Sequence, residues 1–213
     1  MSDDNQSAAE LAEDSSGRGK LLSLEHVGRN PLRWLVVIFG ASFAVWHVLT
    51  NIWLVEPGLW QNAIHFGGFA FLAALTFGPF GRIRLSQSMF VLDFIYGLLV
   101  AAAAVWVAAA EGGIYERSLA VTGQSWQFTA VDWAAGLLLV FAALDLSRRV
   151  SGWVIPILIL LSTSYILFLG SYLPGVFRAA SLPMNDVLFR TLYNDGGMFG
   201  ILASISSTNI TLF

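Results

Sequence analysis

The sequence predicts an all-α membrane protein, a polytopic bundle of about five transmembrane helices plus an incomplete sixth, with its N-terminus in the cytoplasm. Three observations predict it. Charged residues make up 12% of the 213 residues and hydrophobic ones 56%, whereas soluble domains carry ~25% charge. Uncharged apolar runs recur at about twenty residues, the length a helix needs to cross ~30 Å of hydrocarbon. Lys and Arg gather in alternate connections, as the positive-inside rule requires. The period-2 alternation of a membrane barrel is absent, so the spans read as helices.

Residues 1–30 form the first element. The stretch MSDDNQSAAELAEDSSGRGK is acidic, Ser-rich and free of aromatics, which predicts a disordered cytoplasmic tail. Residues 20–31 suit a short interfacial turn of helix with Leu21, Leu22 and Leu24 against lipid.

The spans then follow between charges. WLVVIFGASFAVWHVLTNIWLV lies between Arg33 and Glu56, and a second run centred on NAIHFGGFAFLAALTF lies between Glu56 and Arg82. A third extends from Met89 to Ala110, interrupted only by Asp93, and a fourth from Thr129 to Leu146 with Asp132 and Asp145 near its ends. The fifth is GWVIPILILLSTSYILFLGSY, where Pro156 starts or kinks the helix. After it, Met184, Val187, Leu188 and Leu192 share one helical face, with Asp186 and Arg190 at i,i+4, which predicts an amphipathic helix on the outer surface. The last run, GGMFGILASISSTNITLF, reaches Phe213 without a charged flank and reads as an incomplete sixth span.

Basic residues set the orientation. Arg18, Lys20, Arg29 and Arg33 precede span one, Arg82 and Arg84 lie between spans two and three, and Arg148 and Arg149 between four and five. The opposite side holds only Arg117, Arg178 and Arg190. Trp53, Trp60, Trp126 and Trp133 fall at the predicted outer interface, Trp34 and Trp153 at the inner one. The expected location is the cell inner membrane, with the lipid bilayer as principal partner. Net charge is −3 with scattered basic residues, which argues against nucleic acid, and without cysteine there is no thiolate site or nucleophile.

Six residues are candidates for a functional or topogenic role. Asp93 is an ionisable group in a span, a functional candidate by default; alternatively it lies in the first turn of its helix, where the dipole and Arg82 or Arg84 stabilise the carboxylate. His47 and His65 each stand nine residues from Glu56 on the two arms of a hairpin, at equal depth. That geometry suits a haem or metal between two helices; the competing reading is hydrogen bonding to a neighbouring helix, with Asn51 or Asn62. Asp145 with Arg148 and Arg149 at i+3 and i+4 reads as a local ion cluster anchoring the inner surface. Asp132 beside Trp133 reads as an interfacial anchor, and Ser204, Ser207, Thr208 and Thr211 form a polar stripe. No nucleophile–base–orienter set, phosphate loop or metalloprotease pattern is present, so the chain does not read as an enzyme.

Several segments, in order, resemble the N-terminal part of fused TRAP transporter permeases of the TAXI type. They are LWQNAIHFGGFAFLAALTFGPF, SWQFTAVDWAAGLLLVFAALDLSRRVSGWVIP, YILFLGSYLPG and LYNDGGMFGILASISSTNITLF. The Leu-acidic-x-x-Arg-Arg-x-x-Gly pattern is matched by Leu144, Asp145, Arg148, Arg149 and Gly152. The Gly-x-Tyr-x-Pro-Gly-like element is matched by Gly170, Tyr172, Pro174 and Gly175, and the Gly-x-Phe-Gly stretch by Gly197, Phe199 and Gly200. The likeness covers residues 31–213, and ASISSTNITLF is more polar than the family's run at that place.

The resemblance implies the scaffold part of an ion-gradient-driven solute symporter, with a sodium gradient for the complete transporter. It implies two partners, an extracytoplasmic solute-binding protein that delivers an organic acid or similar solute and the remaining transport domain. Residues 31–150 would be the small four-helix membrane domain, and 151–213 the fifth helix, outer amphipathic helix and truncated start of the large transport domain. The family's solute and ion hairpins lie further on, so no substrate, cofactor or metal residue is assigned to this chain. Two other functions stay open: a small bis-His haem- or quinone-linked electron carrier built on His47 and His65, and a membrane interaction protein without a transport role.

Overall fold

The computed structural model describes residues 31–53, 58–77, 90–119, 126–194, 196–201 and 203–206. The acidic tail, the turn with Arg82 and Arg84, Glu56, and Ser207, Thr208 and Thr211 of the polar stripe lie outside the described residues. Among those residues the protein is helical: α1 (Pro31–Trp53), α2 (Leu59–Thr76), α3 (Phe90–Leu119), α4 (Ala130–Ser151), α5 (Val154–Leu167) and α6 (Met184–Leu192). Two short 3₁₀ turns, Leu169–Tyr172 and Gly175–Phe177, link α5 to α6. Among the described residues three helices are long and apolar enough to cross a membrane, over Trp34–Trp53, Val91–Leu119 and Ala130–Ser151. The protein is thus a helical membrane protein. Residues up to Val45 and from Trp46 onward form two compact units; in the first, Phe39 and Phe43 stack along α1 at 5.8 Å.

The second unit is built on α2, α3 and α4. Lipid gives no hydrophobic drive for helix association, so close packing through small residues must supply it. The α2–α3 seam does this with Ala63, Ala70, Ala103 and Ala104, all buried. A Cβ on Gly67 would come within 2.6 Å of the Ala104 methyl, so only glycine permits this approach. Val107, Leu139 and Ala142 continue the core between α3 and α4.

Two helices depart from the expected spans. Helix α3 continues nine residues past Ala110, carrying Glu111, Glu116 and Arg117 inside the helix rather than in a loop. Its 30 residues rise about 45 Å, beyond the hydrocarbon. Ala, Glu and Arg favour helix, and charges at its end meet water or partners rather than lipid. Helix α5 has 14 residues, about 21 Å, short of the expected fifth span. Its side chains are exposed nearly all round, with Pro156 alone buried.

The predicted amphipathic segment forms α6, which buries Leu188, Phe189 and Leu192. Met184 of the expected apolar face remains exposed. The ion pairs of the described residues do not include Asp186 with Arg190. Instead the Asn185 side-chain amide donates to the Trp126 carbonyl at 2.8 Å. Phe189 stacks on Trp126 with ring centroids 3.4 Å apart, and Tyr115 meets both rings edge-on. Aromatic packing replaces the ion pair as the anchor.

Candidate functional site

Helices α3 and α4 run antiparallel, which brings the start of each against the end of the other. At one end lies a buried ionic cluster. The i,i+3 and i,i+4 spacing of α4 lets Asp145 take both arginines: Arg148 Nη2 at 2.6 Å and Arg149 Nε at 2.7 Å. Arg149 then reaches further. Its Nη1 donates to the Phe77 carbonyl just past α2 at 3.0 Å and to Asp93 Oδ1 on α3 at 3.4 Å. Its guanidinium also lies over the Tyr96 ring, 5.6 Å from the centroid.

Asp93 therefore pairs with Arg149 on another helix, while the expected partners Arg82 and Arg84 lie outside the described residues. It does sit in the first turn of α3, 5% exposed, where the helix dipole favours a carboxylate. Arg148 is the outer member of the cluster and covers the Trp153 ring at 5.3 Å. One planar fork thus ties together α2, α3 and α4, a task suited to arginine rather than lysine.

The opposite end holds a second cluster around Asp132, 1% exposed in the first turn of α4. Thr129 and Asp132 form a capping box, with Thr129 N donating to Oδ2 at 2.8 Å. The same carboxylate accepts from Trp106 Nε1 at 2.9 Å and Arg117 Nη2 at 2.7 Å, both on α3. The expected interfacial anchor is thus also a clasp between helices. Tyr193, at the end of α6, is fully buried beside it. Burial pushes its phenol well above the usual range, the Asp132 carboxylate adds to that, and Arg117 partly offsets it.

His47 and His65 meet directly, with ring centroids 4.6 Å apart and planes inclined by 35°. Both are buried, and Phe69 packs against them at 4.7 Å from His65 and 6.3 Å from His47. Imidazoles bound to opposite faces of a haem iron, at metal–nitrogen distances of about 2 Å, hold their centroids roughly 6 Å apart. Tilted against each other at 4.6 Å, the rings leave no gap for a macrocycle, so the pair does not fit an intervening haem. Asn51 and Asn62, the expected imidazole partners, are engaged elsewhere. Asn51 Nδ2 donates to the His47 backbone carbonyl at 2.9 Å. Asn62 Nδ2 bonds the Phe199 carbonyl and Ser204 Oγ, each at 2.8 Å, which fastens the last described segment to α2.

Gln61, Trp106, Tyr96 and Arg117 belong to these sites and were not singled out from sequence. Gln61 is the clearest omission: it is 1% exposed, and neither polar atom of its amide has a hydrogen-bond partner. Each such unsatisfied group costs ~1–3 kcal/mol, and a glutamine inside an apolar run was the available signal. Among the described residues no three His, Cys, Asp or Glu side chains gather into a metal-ligating group. No family model matches the sequence, and no curated protein or solved structure matches it.

Proposed function

We propose that this chain is the stationary membrane scaffold of an ion-gradient-driven solute transporter of the TRAP type. The observation that carries the reading is the buried Arg149 fork, which fastens α2, α3 and α4 to one another at a single point. A transport domain that moves as a rigid body needs a part that holds still in the membrane plane. Ionic clasps at both ends of the α3–α4 pair, with an apolar middle, suit a strut. The resemblance of residues 31–213 to TAXI-type permeases supports the same role, with a sodium gradient and an extracytoplasmic binding protein serving the assembled transporter. On this reading the protein resides in the inner membrane with Arg148 and Arg149 on the cytoplasmic side.

Expression of this chain alone tests it. The protein inserts, reporter fusions place the Arg82–Arg84 turn in the cytoplasm, and proteoliposomes holding it show no sodium-dependent uptake of organic acids. Sodium-dependent uptake by this chain alone refutes the scaffold role, and a periplasmic Arg82–Arg84 turn refutes the orientation.

A further inference from the structure

We infer that His47, His65 and Gln61 form a binding site for one divalent transition-metal ion of the class imidazole prefers, such as zinc or nickel. The first ground is ring geometry. Two imidazoles bound at neighbouring positions of one ion, with metal–nitrogen distances of about 2 Å, bring their centroids to roughly 4.5–5 Å. The observed 4.6 Å falls in that interval. The second ground is unmet hydrogen-bonding capacity. His65 Nδ1 is buried without a partner, as are both polar atoms of Gln61, one helical turn away on the same face of α2. Glutamine oxygen and imidazole nitrogen are both ligands for ions of this class.

The surroundings fit. Phe69 and Trp46 lie against the imidazoles, with centroids 4.7 Å and 6.0 Å from His65 and His47 respectively. Such an apolar shell limits the access of water to the ion, and an anion at the open position would offset its charge. Three protein ligands leave a fourth position for water or an anion, as at open zinc sites. A buried water would satisfy the Gln61 amide, and ring packing alone also gives such a spacing, as Phe69 against His65 at 4.7 Å shows; saturable binding of an ion separates the two.

The test uses the full chain purified in detergent, titrated with zinc by calorimetry and with cobalt by visible absorption. The expected result is one saturable ion per chain and cobalt bands of a low-symmetry nitrogen–oxygen site. His47→Ala and His65→Ala weaken binding by about 100-fold, and Gln61→Leu, which keeps the side-chain volume, by about tenfold. His26→Ala, in the N-terminal tail, leaves it unchanged. Each variant is read only with parental helicity and elution volume; should the histidine variants misfold, Gln61→Leu decides. Absence of saturable binding in the parent overturns the proposal, as does unaltered affinity in folded His65→Ala or Gln61→Leu. Loss of binding in His26→Ala also overturns it.

Discussion

Replacing Arg149 by methionine keeps the length of the aliphatic stem and removes only the guanidinium. The side chain is 7% exposed and serves three acceptors: Asp145 Oδ2 at 2.7 Å, the Phe77 carbonyl at 3.0 Å and Asp93 Oδ1 at 3.4 Å. Breaking a buried pair by deleting one partner costs ~3–5 kcal/mol, because the remaining charge stays out of water. Asp145 keeps Arg148 at 2.6 Å, so what is lost is the cross-helix reach to the Phe77 carbonyl and Asp93, and the expected loss is about 3 kcal/mol. Arg148→Met is the control: Arg148 is 24% exposed and has a single carboxylate partner, so its loss costs ~1 kcal/mol or less. Unfolding in mixed micelles, followed by helicity against SDS fraction, measures both. If Arg149→Met costs no more than Arg148→Met, Arg149 is not the fastener and the proposed scaffold role loses its main support.

Other outcomes follow from the same geometry. Asp132→Ala removes the capping box and the bonds to Trp106 and Arg117; a loss of ~2–4 kcal/mol is expected by micellar unfolding, against ~1 kcal/mol for Thr129→Ala. A Cβ on Gly197 would press on the Arg190 and Thr191 carbonyls, so Gly197→Ala should cost ~1–3 kcal/mol and expose 196–206 to proteolysis first. Tyr193→Phe removes a buried hydroxyl without a partner and should leave stability unchanged or raise it by up to ~1 kcal/mol. Because the folded phenol titrates above its unfolded value near 10, its contribution holds below about pH 10 and falls as pH rises beyond it. Stability measured from pH 8 to 11 should therefore decline more steeply in the parent than in Tyr193→Phe.

The helical class, three of the expected spans and the local ion cluster were legible because all depend on short-range spacing. Asp145, Arg148 and Arg149 meet at i+3 and i+4 wherever the helix forms. The Asp93–Arg149 pair joins positions 56 apart, and its existence depends on how α3 is rotated about its axis. An apolar face fixes that rotation in a soluble helix, but α3 is apolar nearly all round, so its pattern carries little rotational information. The partnership of Asp132 with Trp106 and Arg117 was hidden for the same reason. The overrun of α3 has another cause: charge marks where hydrocarbon ends, whereas a helix continues as long as its residues and end contacts favour it. Gln61 was overlooked because hydropathy averages over a window, and one amide among apolar neighbours barely lowers the mean.

The distribution of polar groups separates what is held from what is not. In lipid, apolar side chains gain little by leaving hydrocarbon for a neighbouring helix, so small-residue seams and polar clasps carry the association. Helices α2, α3 and α4 have both: the Gly67–Ala104 approach, the Arg149 fork and the Asp132 clasp. Helix α5 has neither. Gly152, at φ +79°, ends α4, and beyond it Ile157, Leu158, Leu160 and Leu161 all present exposed aliphatic surface. The contact between Arg148 and Trp153 and the buried Pro156 attach the start of α5. Beyond them α5 offers bare aliphatic surface beside the α2–α4 block. On the proposed scaffold reading, the clasped helices supply the firmness and the aliphatic face of α5 meets lipid or the moving part.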